Sequence, residues 1–343
     1  MNITVIGAGN TGAACCIHLM QQGHQILLYT RSKEKKEFLN SQAVHSVQLL
    51  PGEYRIPVTD DPREAVEFGE LLIVASWANA HSDIFEMIYR YGDRELLILN
   101  GNWGAVEAYQ IRKKYYPDST LCIAETGGMP YISVFSDGTL RVKAIKAQVS
   151  AASVSGPLSE KIHSLLTASF RHVTVLKNAW QTSLAAPNPI IHIPLSLFNI
   201  SRIEHGDDFS LLIDGFSTRA EEYVLGIDAE RQALSAKLQV EYQDILSQLN
   251  ESWGSHCESL TELFRSNEIY RNVRAPQSVT HRFILEDLPY GILPLVNLGK
   301  MLQVPVPYCS ALTQLFSLYL QNVPAFAEAG TVSFDREALQ NIL

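Results

Sequence analysis

Ile3-Thr4-Val5-Ile6-Gly7-Ala8-Gly9-Asn10-Thr11-Gly12 is a β-branched run that feeds directly into GxGxxG, and Ala13–Gln22 continues it as an amphipathic stretch. A lone GxGxxG is a weak signal. Set between a strand and a helix it becomes the fingerprint of a dinucleotide-binding turn. Gly7 permits the tight turn, Gly9 lets the backbone approach a pyrophosphate, and Gly12 allows close packing of helix on strand. Asn10 and Thr11 complete the fingerprint at the helix N-terminus, whose free N–H groups point at the anion.

The next run, Gln25–Tyr29, ends in Thr30-Arg31-Ser32-Lys33. A site selective for NAD usually carries Asp or Glu there to bind the ribose hydroxyls. No carboxylate is present to repel a 2′-phosphate. Arg31 can stack on adenine and pair with that phosphate, with Ser32 and Lys33 as further donors, so NADP is the expected cofactor and NAD the alternative.

Outward from this turn, apolar runs at Leu71–Ser76, Leu96–Leu99, Leu121–Glu125, Val142–Val149 and His172–Leu176 alternate with amphipathic stretches. This pattern predicts an α/β fold, a doubly wound, mostly parallel Rossmann sheet over residues 1–178. From residue 179 to 343 helical periodicity dominates, which predicts an all-α substrate domain. Asp228–Leu249 reads as one helix with Leu234, Leu238, Tyr242, Ile245 and Leu249 on a single stripe. With no long linker between them, the two domains are expected to pack closely around the active site.

Composition narrows the partners. The 343 residues carry 27 Lys and Arg against 36 Asp and Glu, a formal charge of −9, which speaks against nucleic acid and anionic membrane surfaces. No apolar run approaches the roughly 18–20 residues of a membrane span. No basic stretch precedes Ile3, so a cytoplasmic location is expected. Cys15, Cys16, Cys122, Cys257 and Cys309 form no CxxC pair, so neither a metal site nor a disulfide framework is expected. Small molecules are the expected partners, and a homodimer is compatible with the sequence.

Two segments carry candidate chemistry. Asn188-Pro189-Ile190-Ile191-His192-Ile193-Pro194 opens the second domain with a histidine, whose ordinary pKa near 6.5 suits proton exchange during hydride transfer. Arg282-Phe283-Ile284-Leu285-Glu286-Asp287-Leu288-Pro289-Tyr290-Gly291-Ile292-Leu293-Pro294 sets an arginine and two carboxylates in an apolar run, where unpaired charge would be costly. His81, just past Leu71–Ser76, is expected either to touch the nicotinamide end of the cofactor or simply to open the next helix.

These elements, in this order, resemble the opine dehydrogenase family, the octopine, nopaline and carboxyethyl-norvaline type enzymes. The resemblance runs through Gly7–Gly12, Val74-Ala75-Ser76-Trp77-Ala78-Asn79-Ala80-His81, Leu99-Asn100-Gly101, Ala124-Glu125-Thr126, Asn188–His192 and Arg282–Pro294, then Leu298-Gly299 and Val304-Pro305. It implies that His192 transfers the proton, that Asp287 orients it, and that Arg282 clamps a keto-acid carboxylate. Glu125 and Thr126 match a segment lining the substrate pocket. The chemistry implied is reversible reductive condensation of an amino acid with a 2-keto acid through an imine. A ketopantoate reductase-like 2-keto acid reductase shares the domain plan but lacks the paired His192 and Asp287 segments. A catalytically silent NADP-binding redox sensor would have no use for them.

Overall fold

The computed structural model of the chain describes residues 1–327 and 330–342. It divides into two compact units, Met1–Thr182 together with Asp335–Leu343, and Ser183–Phe334. The first unit thus extends four residues past the expected boundary and recovers the C-terminal segment. Asp335 donates its backbone N–H to Gln110 at 3.0 Å, within that unit.

In the first unit β1 (Asn2–Ile6), β2 (Gln25–Tyr29), β5 (Val58–Thr59), β6 (Leu71–Val74), β7 (Glu95–Ile98), β8 (Ile123–Thr126), β11 (Gln148–Ser153) and β12 (His172–Val175) form one sheet. Its order is β12-β11-β8-β7-β6-β1-β2-β5. Neighbours run parallel except β11 on β8. Leu71-Leu72-Ile73-Val74 is buried at every position, as expected of a strand covered on both faces. From β1 the chain winds to β2 on one side and later returns to β6 on the other. The reversal puts a crevice at the carboxyl ends of β1 and β6, where doubly wound sheets bind ligands.

A second sheet, β4-β3-β10-β9, is a correction to the expected plan. It comprises β3 (Val44–Gln48), β4 (Gly52–Tyr54), β9 (Tyr131–Ser136) and β10 (Thr139–Ile145). These strands are short and alternate with polar residues, so their apolar signal is weak. Val142–Val149, read as one strand, breaks at Lys146-Ala147, where the chain leaves the small sheet for the large one.

Helices α1 (Asn10–Gln21), α2 (Lys33–Ser41), α3 (Pro62–Phe68), α4 (His81–Tyr91), α5 (Gly104–Tyr115) and α6 (Glu160–Ser169) belong to this unit, and α7 (Ala179–Leu184) runs across its end at Thr182. Cys15 and Cys16 are on the buried face of α1, in the core. Burial pushes the Cys15 thiol up to about 12, which leaves it a packing group. Among the described residues no group of His, Cys, Asp and Glu could hold a metal ion, and no helix is long and apolar enough to cross a membrane.

The second unit is helical, and its first complete helix is α8 (Pro187–Phe198). The expected single helix over Asp228–Leu249 is two, Thr218–Lys237 and Ile245–Trp253. Gln239 adopts a left-handed φ of 55° and stops the first. Asp244 caps the second through the backbone N–H of Ser247, and buried Asp228 accepts the N–H of Ile245 at 3.0 Å. Capping chemistry therefore overrides a continuous apolar stripe.

Candidate active site

In the first unit the glycine fingerprint is shaped by contact. Gly7 has φ +119°, and a Cβ on it would stand 2.7 Å from the Ala75 carbonyl oxygen. A Cβ on Gly12 would lie 1.8 Å from the Gly7 carbonyl oxygen, so the α1 backbone sits directly on the turn. A Cβ on Gly9 would meet nothing within 4 Å. The bare backbone there faces open space, and no side chain caps α1. Its first-turn amides are therefore available to an anion.

Beside the turn lies a cavity of about 430 Å³ whose walls include Gly7, Tyr29, Arg31, Ser32, Lys35 and Ser76. Arg31 reaches Asp83 at 3.4 Å in an exposed pair, a contact of little intrinsic strength. Ser32 caps α2, accepting the N–H of Lys35 at 3.1 Å. Lys35 extends back toward the Ala8 carbonyl at 3.4 Å. The Ser76 hydroxyl is buried with no hydrogen-bond partner among the described residues. An orphaned hydroxyl, an open glycine and clustered cations fit a phosphorylated dinucleotide.

Not every expected residue faces this cavity. Lys33 is absent from its walls and Lys35 takes its place, because Ser32 caps the helix and turns the third helical residue back onto the cavity. Asn10 is spent on the small sheet: its side-chain oxygen accepts the N–H of Phe135 at 2.9 Å, and its carbonyl accepts the Ser133 hydroxyl. Thr11 donates to Met129 Sδ at 3.2 Å.

His81 also requires correction. It is 1% exposed and turned inward, its ring 5.3 Å from that of Phe85, while its neighbours Ala80 and Ile84 line the cavity. A Cβ on Gly104 would meet its Nδ1 at 2.8 Å. Burial pushes its pKa down to about 4. The unfolded chain takes up this proton near pH 6.5 while the folded chain refuses it until about pH 4. Stability therefore falls as pH drops through that window, by up to about 3 kcal/mol. Chemical denaturation of wild type and His81→Leu at pH 7 and pH 4.5 checks this. The wild type is expected to lose about 2.4 kcal/mol more than the variant over the interval, and equal losses would refute the assignment.

Glu125 and Thr126 are framework, not pocket lining. Glu125 is fully buried; its Oε2 accepts the Ala105 N–H at 2.9 Å and its Oε1 the Thr182 hydroxyl at 2.6 Å. A Cβ on Gly101 would stand 2.1 Å from that Oε2, so Gly101 makes room for the carboxylate at the α5 N-terminus. Thr126 accepts the Asn100 N–H and donates to the Gly128 carbonyl, each at 2.8 Å.

In the second unit His192 lies on α8, 8% exposed, with Nδ1 2.7 Å from Asp287 Oδ2. The two residues are 95 positions apart. Leu288–Ile292 forms a π-helical turn just after Asp287. A Cβ on Gly291 in that turn would overlap the Pro189 side chain at 2.3 Å, so the missing side chain lets the turn close onto α8. The carboxylate then meets the ring. Asp287 fixes Nδ1 as the protonated nitrogen and leaves Nε2 for exchange. Phe283 stacks on His192 at 3.9 Å and 18°, with the Arg282 guanidinium 5.8 Å from the Phe283 centroid. His281, which the sequence reading passed over, caps this segment by accepting the Phe283 N–H and packs edge-on against Phe283 at 4.6 Å. Burial and the neighbouring Arg282 lower its pKa.

Residues 175–320 match the family described as NAD/NADP octopine/nopaline dehydrogenase, alpha-helical domain. The opine dehydrogenase of Arthrobacter sp. (strain 1C) is 28% identical over 91% of this chain and 89% of its own. The chain is similar to the opine dehydrogenase family through its helical half and, at lower identity, over most of its length. It is an NAD(P)-dependent oxidoreductase. Residues 2–107 of this chain match the N-terminus of NAD-dependent glycerol-3-phosphate dehydrogenase. Its fold is shared with octopine dehydrogenase in complex with NADH and agmatine, at TM-score 0.78 and 13% identity over 93% of this chain and 89% of the other. Yersinopine dehydrogenase with NADP+ superposes at TM-score 0.77 and 14% identity, covering 100% and 97%. Octopine dehydrogenase is also described with L-arginine and with pyruvate.

Proposed function

We propose that this protein condenses the amine of an amino acid with a 2-keto acid and reduces the product, preferring NADPH. The observation that carries the reading is the buried His192–Asp287 pair, because imine formation needs a proton to leave with the carbonyl oxygen as water. His192 Nε2 supplies it, and the Asp287 carboxylate stabilises the imidazolium from the other side of the ring. Arg282 offers a planar fork for a carboxylate. Gly7, Gly9, Gly12 and the α1 amides would hold the pyrophosphate, Ser76 a ribose or phosphate oxygen, and Arg31, Ser32 and Lys35 a 2′-phosphate. The bound cofactor supplies the hydride. That octopine dehydrogenase is described with an amino acid and with a 2-keto acid supports the substrate classes.

The test is NADPH oxidation by the purified protein across a grid of 2-keto acids, with and without each amino acid, repeated with NADH. Oxidation that requires both an amino acid and a keto acid is the expected result. Oxidation with a keto acid alone would replace the proposal with a ketone reductase.

Cofactor preference has its own check. Charge-assisted contacts contribute about 1.5–3 kcal/mol each, and about 1.4 kcal/mol is tenfold. Arg31→Ala with Lys35→Ala is therefore expected to raise KM for NADPH about 100-fold or more while changing KM for NADH less than about threefold. Equal losses with both cofactors would remove the 2′-phosphate from the argument.

A further inference from the structure

Lys146 stands where the chain passes from the small sheet to the large one, between β10 and β11. Its backbone N–H donates to the Pro130 carbonyl at 2.9 Å, which holds it against the Gly127–Pro130 loop. That loop leaves the carboxyl end of β8, a strand parallel to β7 and so part of the edge where ligands of such sheets sit. Met129 of the same loop accepts the Thr11 hydroxyl, so the loop also adjoins the glycine fingerprint.

A Cβ on Gly128 would come within 3.3 Å of Lys146 Nζ, so bare backbone gives the amine its room. The side chain is half-buried, and among the described residues its ammonium makes no hydrogen bond and no ion pair. Burial holds its pKa below the ordinary lysine range, with no neighbouring charge to offset the lost hydration. A half-buried cation without a counter-charge contributes little to the fold. An oxyanion beside it would reverse that balance.

We propose that Lys146 is an anion-binding residue of the active site, gripping either a substrate carboxylate or the dinucleotide pyrophosphate at the carboxyl edge of the sheet. Only the naming of the carboxylate rests on the reductive-condensation reading; the presence of an anion site does not. Lys146→Met removes the charge at similar length, Lys146→Arg restores it, and Lys146→Gln serves if the methionine variant does not fold. Steady-state kinetics and calorimetric titrations with NADPH and with pyruvate are compared across the series at matched melting temperature.

A rise of tenfold or more in KM for the keto acid or amino acid, with NADPH binding within twofold and arginine recovering most of the loss, assigns the site to a substrate carboxylate. The same loss confined to NADPH affinity assigns it to the pyrophosphate. If no substrate pair turns over, the reductive-condensation reading fails, yet weaker binding of either titrant to Lys146→Met would still uphold the anion site. Affinities and KM values within twofold of wild type throughout would overturn it.

Discussion

His192→Ala is expected to lower kcat roughly 10²–10⁴-fold, the range that a positioned general acid–base contributes, while NADPH affinity stays within about twofold. The split follows from where the residue sits. His192 is in the helical unit, and the glycine fingerprint, Arg31, Lys35 and Ser76 are all in the other. Fluorescence titration with NADPH and steady-state kinetics read the two effects separately. Asp287→Asn should fall between wild type and the alanine variant: the amide keeps the size but cannot stabilise the imidazolium, and it can misdirect the ring by donating to Nδ1. Unchanged turnover in His192→Ala would remove this residue from the mechanism. A loss in which NADPH affinity falls in step with kcat would instead point to a structural role for the pair.

How much of this was readable from the sequence depended on how local each feature is. The fingerprint was legible because strand, turn and helix are contiguous and each glycine has its own steric reason. His192 and the Arg282–Asp287 segment stand out by residue type, but their pairing is reached only through resemblance, since what joins them is Gly291 closing onto Pro189, a contact with no local signature. Lys35 could have been found by counting one helical turn from the Ser32 cap. Glu125 is placed at the substrate through the family resemblance, and the sequence leaves His81 between the nicotinamide and the start of the next helix. Their actual surroundings are set by Gly101 and Gly104, which let a carboxylate and an imidazole fold inward. The small sheet escaped because its strands bury only alternate residues, and Lys146 escaped with it, lying at a break inside what read as one strand.

Two glycines of the fingerprint should fail in different ways. In Gly12→Ala the added carbon would stand 1.8 Å from a backbone oxygen, so the turn or the helix has to shift. Overpacking of this kind costs about 1–3 kcal/mol and at times more, and because the yielding atom is backbone the upper part of that range is expected. The melting temperature should fall, and cofactor affinity with it. Gly9→Ala adds the same carbon where nothing lies within 4 Å, at a backbone φ of −96° that any residue adopts. Its melting temperature without ligand is expected to match wild type. Yet the methyl occupies the space through which the pyrophosphate reaches the α1 amides, so NADPH affinity should drop about tenfold or more, the loss of about 1.4 kcal/mol or more of contact. Thermal melts with and without NADPH separate the two cases. The Gly9 variant should keep its ligand-free melting point and lose the NADPH-induced rise, whereas the Gly12 variant should lose both. A full NADPH-induced rise in Gly9→Ala would mean that the dinucleotide does not pass over this turn, and the cofactor site would have to be sought elsewhere on the sheet.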